Sequence, residues 1–247
     1  MKVVFHEDFY QVYTGDPAAA PGRMEAIVKY LEPHVEFLTA DPAIRQDIAA
    51  VHSELHIKQV ENQGLYEIAA LSAGGAIKAA QIGLTEPCFG LIRPPGHHAS
   101  GSSCWGFCYF NNMVVALEAL RQKQKIKTAC VIDIDLHFGD GTVNLLENEN
   151  WATVINVEAD SRIRYLYEVE EAMKNCRVDI IGISAGFDNH IADWGGLLHT
   201  EDYEEIGYMV KAAAARGSGC FAILEGGYNH DVLGKNVLAL IKGMAGR

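Results

Sequence analysis

The chain of 247 residues carries 20 Lys+Arg against 32 Asp+Glu, a formal charge of −12. That balance argues against nonspecific affinity for nucleic acid and suits attraction of cationic amines. No continuous apolar run reaches membrane-spanning length, and residues 1–7 enter directly into a strand rather than a signal peptide, so no membrane is expected and a cytoplasmic protein is the default. Strand-like runs fall near residues 2–5, 35–38, 47–51, 88–92, 128–134, 152–157, 178–184 and 220–225, about eight in all. Most are separated by helical patterns, clearest at 65–82, 111–122 and 203–216, the last with Thr200 as its expected cap and acids in its first turn. Residues 16–22 read as a loop before the first helix. Such alternation implies an α/β fold, with a mainly parallel sheet flanked by helices, and the length suits a single domain over 1–247.

The chemistry gathers at strand ends. The run Thr128-Ala129-Cys130-Val131-Ile132 passes into Asp133-Ile134-Asp135-Leu136-His137-Phe138-Gly139-Asp140, a buried strand reaching a polar edge. Strand alternation would put Asp133, Asp135 and His137 on one side and Ile134 and Leu136 on the other. In open parallel α/β sheets this carboxyl edge is where ligands bind. A catalytic zinc takes three protein ligands and leaves one position open. Asp135 and His137 would supply two, and Asp188, after the apolar strand and glycine of 178–187, the third. Taken singly, Asp133, Asp135 and Asp188 have an ordinary alternative as helix caps or turn residues; their joint pattern favours the metal.

Two further segments aim at the same edge. Leu91-Ile92-Arg93-Pro94-Pro95-Gly96 fixes a rigid turn before the doublet His97-His98. Near the end, an apolar strand runs into Glu225-Gly226-Gly227-Tyr228, where two glycines permit close backbone approach and deliver a tyrosine. Cys88, Cys130 and Cys220 sit in apolar strands as small hydrophobes. Cys104 and Cys108 lack the partner pair a cysteine-bound zinc would need. His34, His52, His56, His199 and His230 read as capping, surface or core residues, and His6 and His190 are left outside the ligand set.

Together these segments resemble the histone deacetylase and acetylpolyamine amidohydrolase family. The resemblance runs in order from His6-Glu7-Asp8 to Gly226-Gly227-Tyr228-Asn229, and includes Gly106-Phe107-Cys108-Tyr109-Phe110-Asn111-Asn112, which is similar to the family's substrate-tunnel segment. It implies the three-layer arginase/deacetylase-like fold and one catalytic Zn2+ held by Asp135, His137 and Asp188. It further implies tandem histidines His97 and His98 oriented by Asp133 and Asp140, and Tyr228 as hydrogen-bond donor to the substrate carbonyl. Phe107, with Gly106 and Gly227, would line the acyl-lysine channel, and a structural K+ would use the Asp133 carboxylate. The implied reaction releases acetate from acetyl-lysine or an acetylated polyamine. The chemistry asks for a base toward a metal-activated water and a cationic partner; His98 suits the first role and His97 the second, with the assignment open because adjacent imidazoles titrate as a coupled pair.

Three departures from the family pattern carry expectations of their own. The segment between His137 and Asp188 lacks an extended rim loop after Val157, so the mouth should be wider, or finished by a neighbouring subunit in a homo-oligomer. Phe138 stands where relatives often have a second histidine. No acidic loop residue for anchoring a peptide backbone is found, so peptide binding is a weaker expectation than acyl-amine hydrolysis. The competing readings are a binuclear manganese ureohydrolase of the same architecture, a noncatalytic acyl-lysine binder, and a structural module with incidental acids. The first needs bridging carboxylates where this chain has Asn189 and His190.

Overall fold

The computed structural model describes residues 1–246. Seven parallel strands form one sheet: β1 (Lys2–Phe5), β2 (Glu36–Thr39), β3 (Cys88–Gly90), β4 (Ala129–Asp133), β5 (Ala152–Asn156), β6 (Ile180–Ala185) and β7 (Gly219–Leu224), in the order β2-β1-β3-β7-β6-β4-β5. The helices between them are α1 (Arg23–Leu31), α2 (Arg45–Ala49), α3 (Glu54–Asn62), α4 (Tyr66–Gly83), α5 (Asn112–Gln122), α6 (Asp140–Leu146), α7 (Arg162–Asn175), α8 (Thr200–Ala214) and α9 (His230–Ala245). Strands β3, β4, β6 and β7 are buried along their whole length. Parallel strands covered by helices on both faces have no solvent side, so they read as continuous apolar runs.

The central order places β7 and β6 between β3 and β4, so the carboxyl ends of these four strands sit side by side. Register links them closely, with Asp133 opposite Ser184 and Ser184 opposite Ile223. Helices α4 and α5 pack together, and α9 packs against α8 and α1. Among the described residues no helix is long and apolar enough to cross a membrane.

Two elements differ from expectation. Residues 47–51 form no strand; 45–49 are the short helix α2, whose single buried residue is Ile48. Its alanines favour helix, and one apolar anchor cannot sustain an alternating strand face. The sheet therefore has seven strands. Thr200 does not cap α8 but is its first residue; His199 occupies the cap, its N–H donating to Asp202 Oδ2 at 2.7 Å. The Thr200 hydroxyl instead donates to Asn236 Oδ1 on α9 at 2.7 Å, tying the two helices together. The expected loop at 16–22 contains a 3-10 turn, Pro17–Ala19, capped by Asp16.

Candidate active site

Strand β4 ends at Asp133, so strand alternation does not bring Asp135 and His137 into line with it. A chain of short polar turns does that work. Asp133 Oδ1 accepts the Asp135 N–H at 3.0 Å, Asp135 Oδ1 accepts the His137 N–H at 2.9 Å, and Asp188 Oδ1, arriving from the end of β6, accepts the Leu136 N–H at 3.1 Å. The result places ligand atoms of Asp135, His137 and Asp188 within 4.8 Å of one another. Gly186 and Gly226 let this happen: a Cβ on Gly186 would lie 2.1 Å from Asp135 Oδ2, and one on Gly226 2.7 Å from Asp188 Oδ2.

The three groups are short of protons. His137 Nδ1 lies 3.2 Å from both Asp135 Oδ1 and Asp188 Oδ2. One N–H cannot serve two carboxylates; it is aligned on Asp135, and Asp188 Oδ2 is buried with no hydrogen-bond partner. The adjoining Asp135 and Asp188 carboxylates push the His137 imidazole up to about 10. Burial, then the Asp135 charge, raises the Asp188 carboxyl to about 6. Burial would also raise Asp135, but the charge of His97 and the His137 hydrogen bonds hold it below the usual carboxylate range. A divalent cation held by these groups would satisfy all three at once, so the donor set fits the metal ion implied by the sequence.

His97 and His98 sit beside this group with their rings 4.0 Å apart. His97 Nδ1 pairs with Asp133 Oδ2 at 3.0 Å, and His98 Nδ1 with Asp140 Oδ1 at 2.7 Å. Both Asp133 oxygens, one of them the oxygen expected to share a potassium ion, are thus engaged with protein N–H groups. The two imidazoles are pushed in opposite directions. Burial depresses His97, but Asp135 and Asp133 outweigh it and hold it well above the ordinary histidine value. Burial and the charge of His97 together lower His98 to about 4.

Tyr228 follows Gly227, whose φ of 111° turns the chain sharply after β7. Its backbone N–H donates to Asp193 Oδ2 at 2.8 Å, as does that of Asn229. Below the loop the fully buried Arg23 donates to the carbonyls of Gly227 at 2.9 Å and Glu225 at 2.7 Å, with its guanidinium 5.5 Å from the Tyr228 ring centre. The Glu225 carboxylate reaches the other way, and its Oε2 accepts the Gly96 N–H at 2.6 Å and the His97 N–H at 3.3 Å.

His97, His98, His137 and Tyr228 face a cavity of about 110 Å³, lined also by Gly106, Cys108 and the rings of Trp105, Phe107 and Trp194. This is small beside the roughly 300–1,000 Å³ of drug-sized ligand pockets. Trp194 stacks on Tyr228 at 4.1 Å, and Phe107 meets Tyr228 edge-on at 5.8 Å. Trp105 stacks on His98 at 3.7 Å and donates from Nε1 to Asp140 Oδ2 at 2.8 Å.

Trp105, Trp194, Asp193, Arg23 and Glu225 are site residues the sequence reading missed. Trp105 adjoins the Gly106-Phe107 segment, so its neighbourhood was a usable signal. Arg23 offered none, because its partners lie more than 200 positions away.

A parallel α/β sheet that collects an Asp-His-Asp cluster and two carboxylate-held imidazoles at its carboxyl edge is built like a hydrolase. A sequence model described as the histone deacetylase domain matches residues 61–165 and 158–244, and the chain belongs to that family. The two matched stretches overlap at residues 158–165. A probable deacetylase of Methanothermobacter thermautotrophicus is 27% identical over 303 aligned residues, covering 99% of this chain and 91% of the relative. A histone deacetylase-like amidohydrolase of Pseudomonas aeruginosa is 25% identical, covering 89% of this chain and 73% of its own. The crystal structure of the HDA15 HD domain superposes with a TM-score of 0.84 at 22% identity, covering 99% of this chain and 89% of that one, and shares the fold. Family and relatives support deacetylase function.

Proposed function

We propose that this chain is a single zinc-dependent deacetylase domain that hydrolyses the N-acetyl amide of acetyl-lysine or an acetylated polyamine. The observation that carries the reading is the His137 N–H caught between two carboxylates, with Asp188 Oδ2 left buried and unpartnered. Asp135, His137 and Asp188 hold the ion, which when bound supplies Lewis acidity to the carbonyl and acidity to water.

The protein's own groups do the rest. His98, neutral near pH 7 and steadied by Asp140, accepts the proton of the attacking water. His97, kept cationic by Asp133 and Asp135, stabilises negative charge and protonates the leaving amine. The buried Tyr228 hydroxyl, whose pKa burial pushes above its usual value, stays protonated and donates to the carbonyl oxygen as charge develops there. Phe107, Trp105 and Trp194 exclude water and leave room for a slim alkyl amine. Asn189 and His190 are turned to other partners, Asn189 Nδ2 donating to the Ile134 carbonyl at 3.2 Å and His190 Nδ1 accepting from the Ala192 N–H at 3.1 Å. That arrangement favours a single ion in this cluster over a ureohydrolase pair. A cytoplasmic setting and an amine substrate agree with the charge of −12.

The test is hydrolysis of an acetyl-lysine peptide and of N-acetylputrescine by zinc-loaded wild type and Tyr228→Phe. Wild type should turn over at least one, and the variant should lose about 10²- to 10³-fold in rate, the usual effect of removing one oxyanion donor. No turnover of either substrate with zinc bound would sink the reading.

A further inference from the structure

Behind the tandem histidines lies a second trio of metal-ligand types. One ring nitrogen of His97, Cys108 Sγ and a Glu225 oxygen lie within 4.8 Å of one another, and all three residues are buried. We propose that His97, Cys108 and Glu225 form a separate, inhibitory site for a thiophilic divalent cation such as Zn2+. The inhibitory half of this proposal rests on the catalytic role given above to His97; the binding half does not.

Two features point to a ligand here. Glu225 Oε2 is occupied by the Gly96 and His97 N–H groups, but Oε1 is buried with no partner at all. A carboxylate oxygen left this way is costly, and a cation facing it offsets the cost. His97 Nδ1 is taken by Asp133 at 3.0 Å, so Nε2, which lies 3.8 Å from Asp135 Oδ1, is the ligand atom it has left. A histidine held by a carboxylate through one nitrogen and bound to metal through the other is the usual second-shell arrangement of protein zinc sites. Burial and the Glu225 charge hold the Cys108 thiol well above its ordinary value, against the His98 N–H that its Sγ accepts at 3.5 Å, so a cation here would have to take the place of the thiol proton. Cys104, which the sequence pairs with Cys108, belongs to no such group among the described residues.

The cavity gives an ion a way in, since both His97 and Cys108 line it, and it leaves the fourth position of a tetrahedral ion to water. On binding, Cys108 releases its thiol proton and His97 the proton on Nε2, while the Nδ1 proton stays with Asp133. The cation, the thiolate and the Glu225 carboxylate then sum to zero charge. His97 can no longer carry a proton to the leaving amine, so filling this site stops turnover.

The Asp135–His137–Asp188 group offers only oxygen and nitrogen, so a thiolate reports on the second site alone. Metal-free protein is titrated with Co2+ past two equivalents while the near-ultraviolet thiolate-to-cobalt charge-transfer absorption is followed. The band should grow in over a single equivalent, the first or the second according to which site fills first. Cys108→Ser should abolish it, Cys104→Ser should leave it, and Glu225→Gln should raise its midpoint about tenfold or more. In a parallel Zn2+ titration wild-type turnover should rise and then fall. Absence of the band in a several-fold excess of Co2+, or its survival in Cys108→Ser, overturns the site. A band with turnover that never falls overturns the inhibitory role. A band without turnover at any ratio upholds the site and overturns the hydrolase reading instead.

Discussion

Trp105 touches both halves of the His98–Asp140 pair, its ring on the imidazole and its N–H on the carboxylate. The hydrogen bond from Trp105 keeps Asp140 below its usual value against the upward pull of partial burial, and His98 adds to it. An ionised Asp140 fixes which His98 nitrogen is free. Trp105→Phe keeps the ring and removes the N–H, so kcat should fall about tenfold, the low end for loss of a supporting hydrogen bond, with KM little changed. Steady-state kinetics decides it, and a pure KM effect would contradict it. The second prediction at this scale concerns pH. His98 must be neutral to accept a proton, and burial plus the neighbouring His97 charge lower it to about 4. Activity is therefore present above that value and lost as pH falls through it, so the acid limb of kcat/KM should lie well below the ordinary histidine value of about 6.5. A limb at or above that value would count against His98 as base. Most of these residues were legible because each stands at a strand end beside turn-forming residues. Trp194 and Arg23 were not, since their importance lies in a ring stacked on Tyr228 and in carbonyls reached across the fold.

Helices α8 and α9 approach so closely that glycine is built into both. A Cβ on Gly243 would sit 2.0 Å from the Glu204 carbonyl oxygen, and one on Gly207 2.5 Å from that of Leu240. The obstacle is backbone in each case and cannot rotate away. Gly243→Ala gains about 1 kcal/mol of helix propensity, but the helices must part, which typically costs about 1–3 kcal/mol or more for overpacking. The clash is with main chain, so the loss should win, and the urea midpoint should fall. An unchanged or higher midpoint would show that α9 can shift freely. The same contrast between local and tertiary control explains which elements the sequence revealed. Strands β4, β6 and β7 announce themselves because full burial demands apolar residues throughout. The helix at 45–49 did not, because five residues with one anchor carry no usable period. Thr200 looked like a cap by residue type, yet its hydroxyl found Asn236 on a helix that no local pattern could place beside it.

Across the whole molecule, a chain of net charge −12 buries Asp133, Asp135, Asp188 and Glu225 at one edge of its sheet. Such a concentration of acids makes stability depend on what neutralises it. In metal-free protein two groups at the Asp-His-Asp cluster bind protons more tightly than the unfolded chain does. Asp188 is raised to about 6 by burial and Asp135, and His137 to about 10 by its two carboxylates. Each raised value means that folding takes up a proton, so stability falls as pH climbs from the unfolded value through the folded one. For Asp188 that window runs from the ordinary carboxylate range to about 6, and for His137 from the ordinary imidazole range to about 10. A bound zinc replaces both protons, so its binding is favoured by rising pH. At a free concentration 100 times its dissociation constant, a ligand specific to the folded state adds about 2.7 kcal/mol. The thermal midpoint should accordingly rise on zinc addition, by more at pH 9 than at pH 6. Asp188→Asn removes the unpartnered oxygen and should lose most of the rise at both. The measurement is thermal unfolding with and without zinc at the two pH values. A rise that is the same at both, or that survives in Asp188→Asn, would place the ion elsewhere than between Asp135, His137 and Asp188.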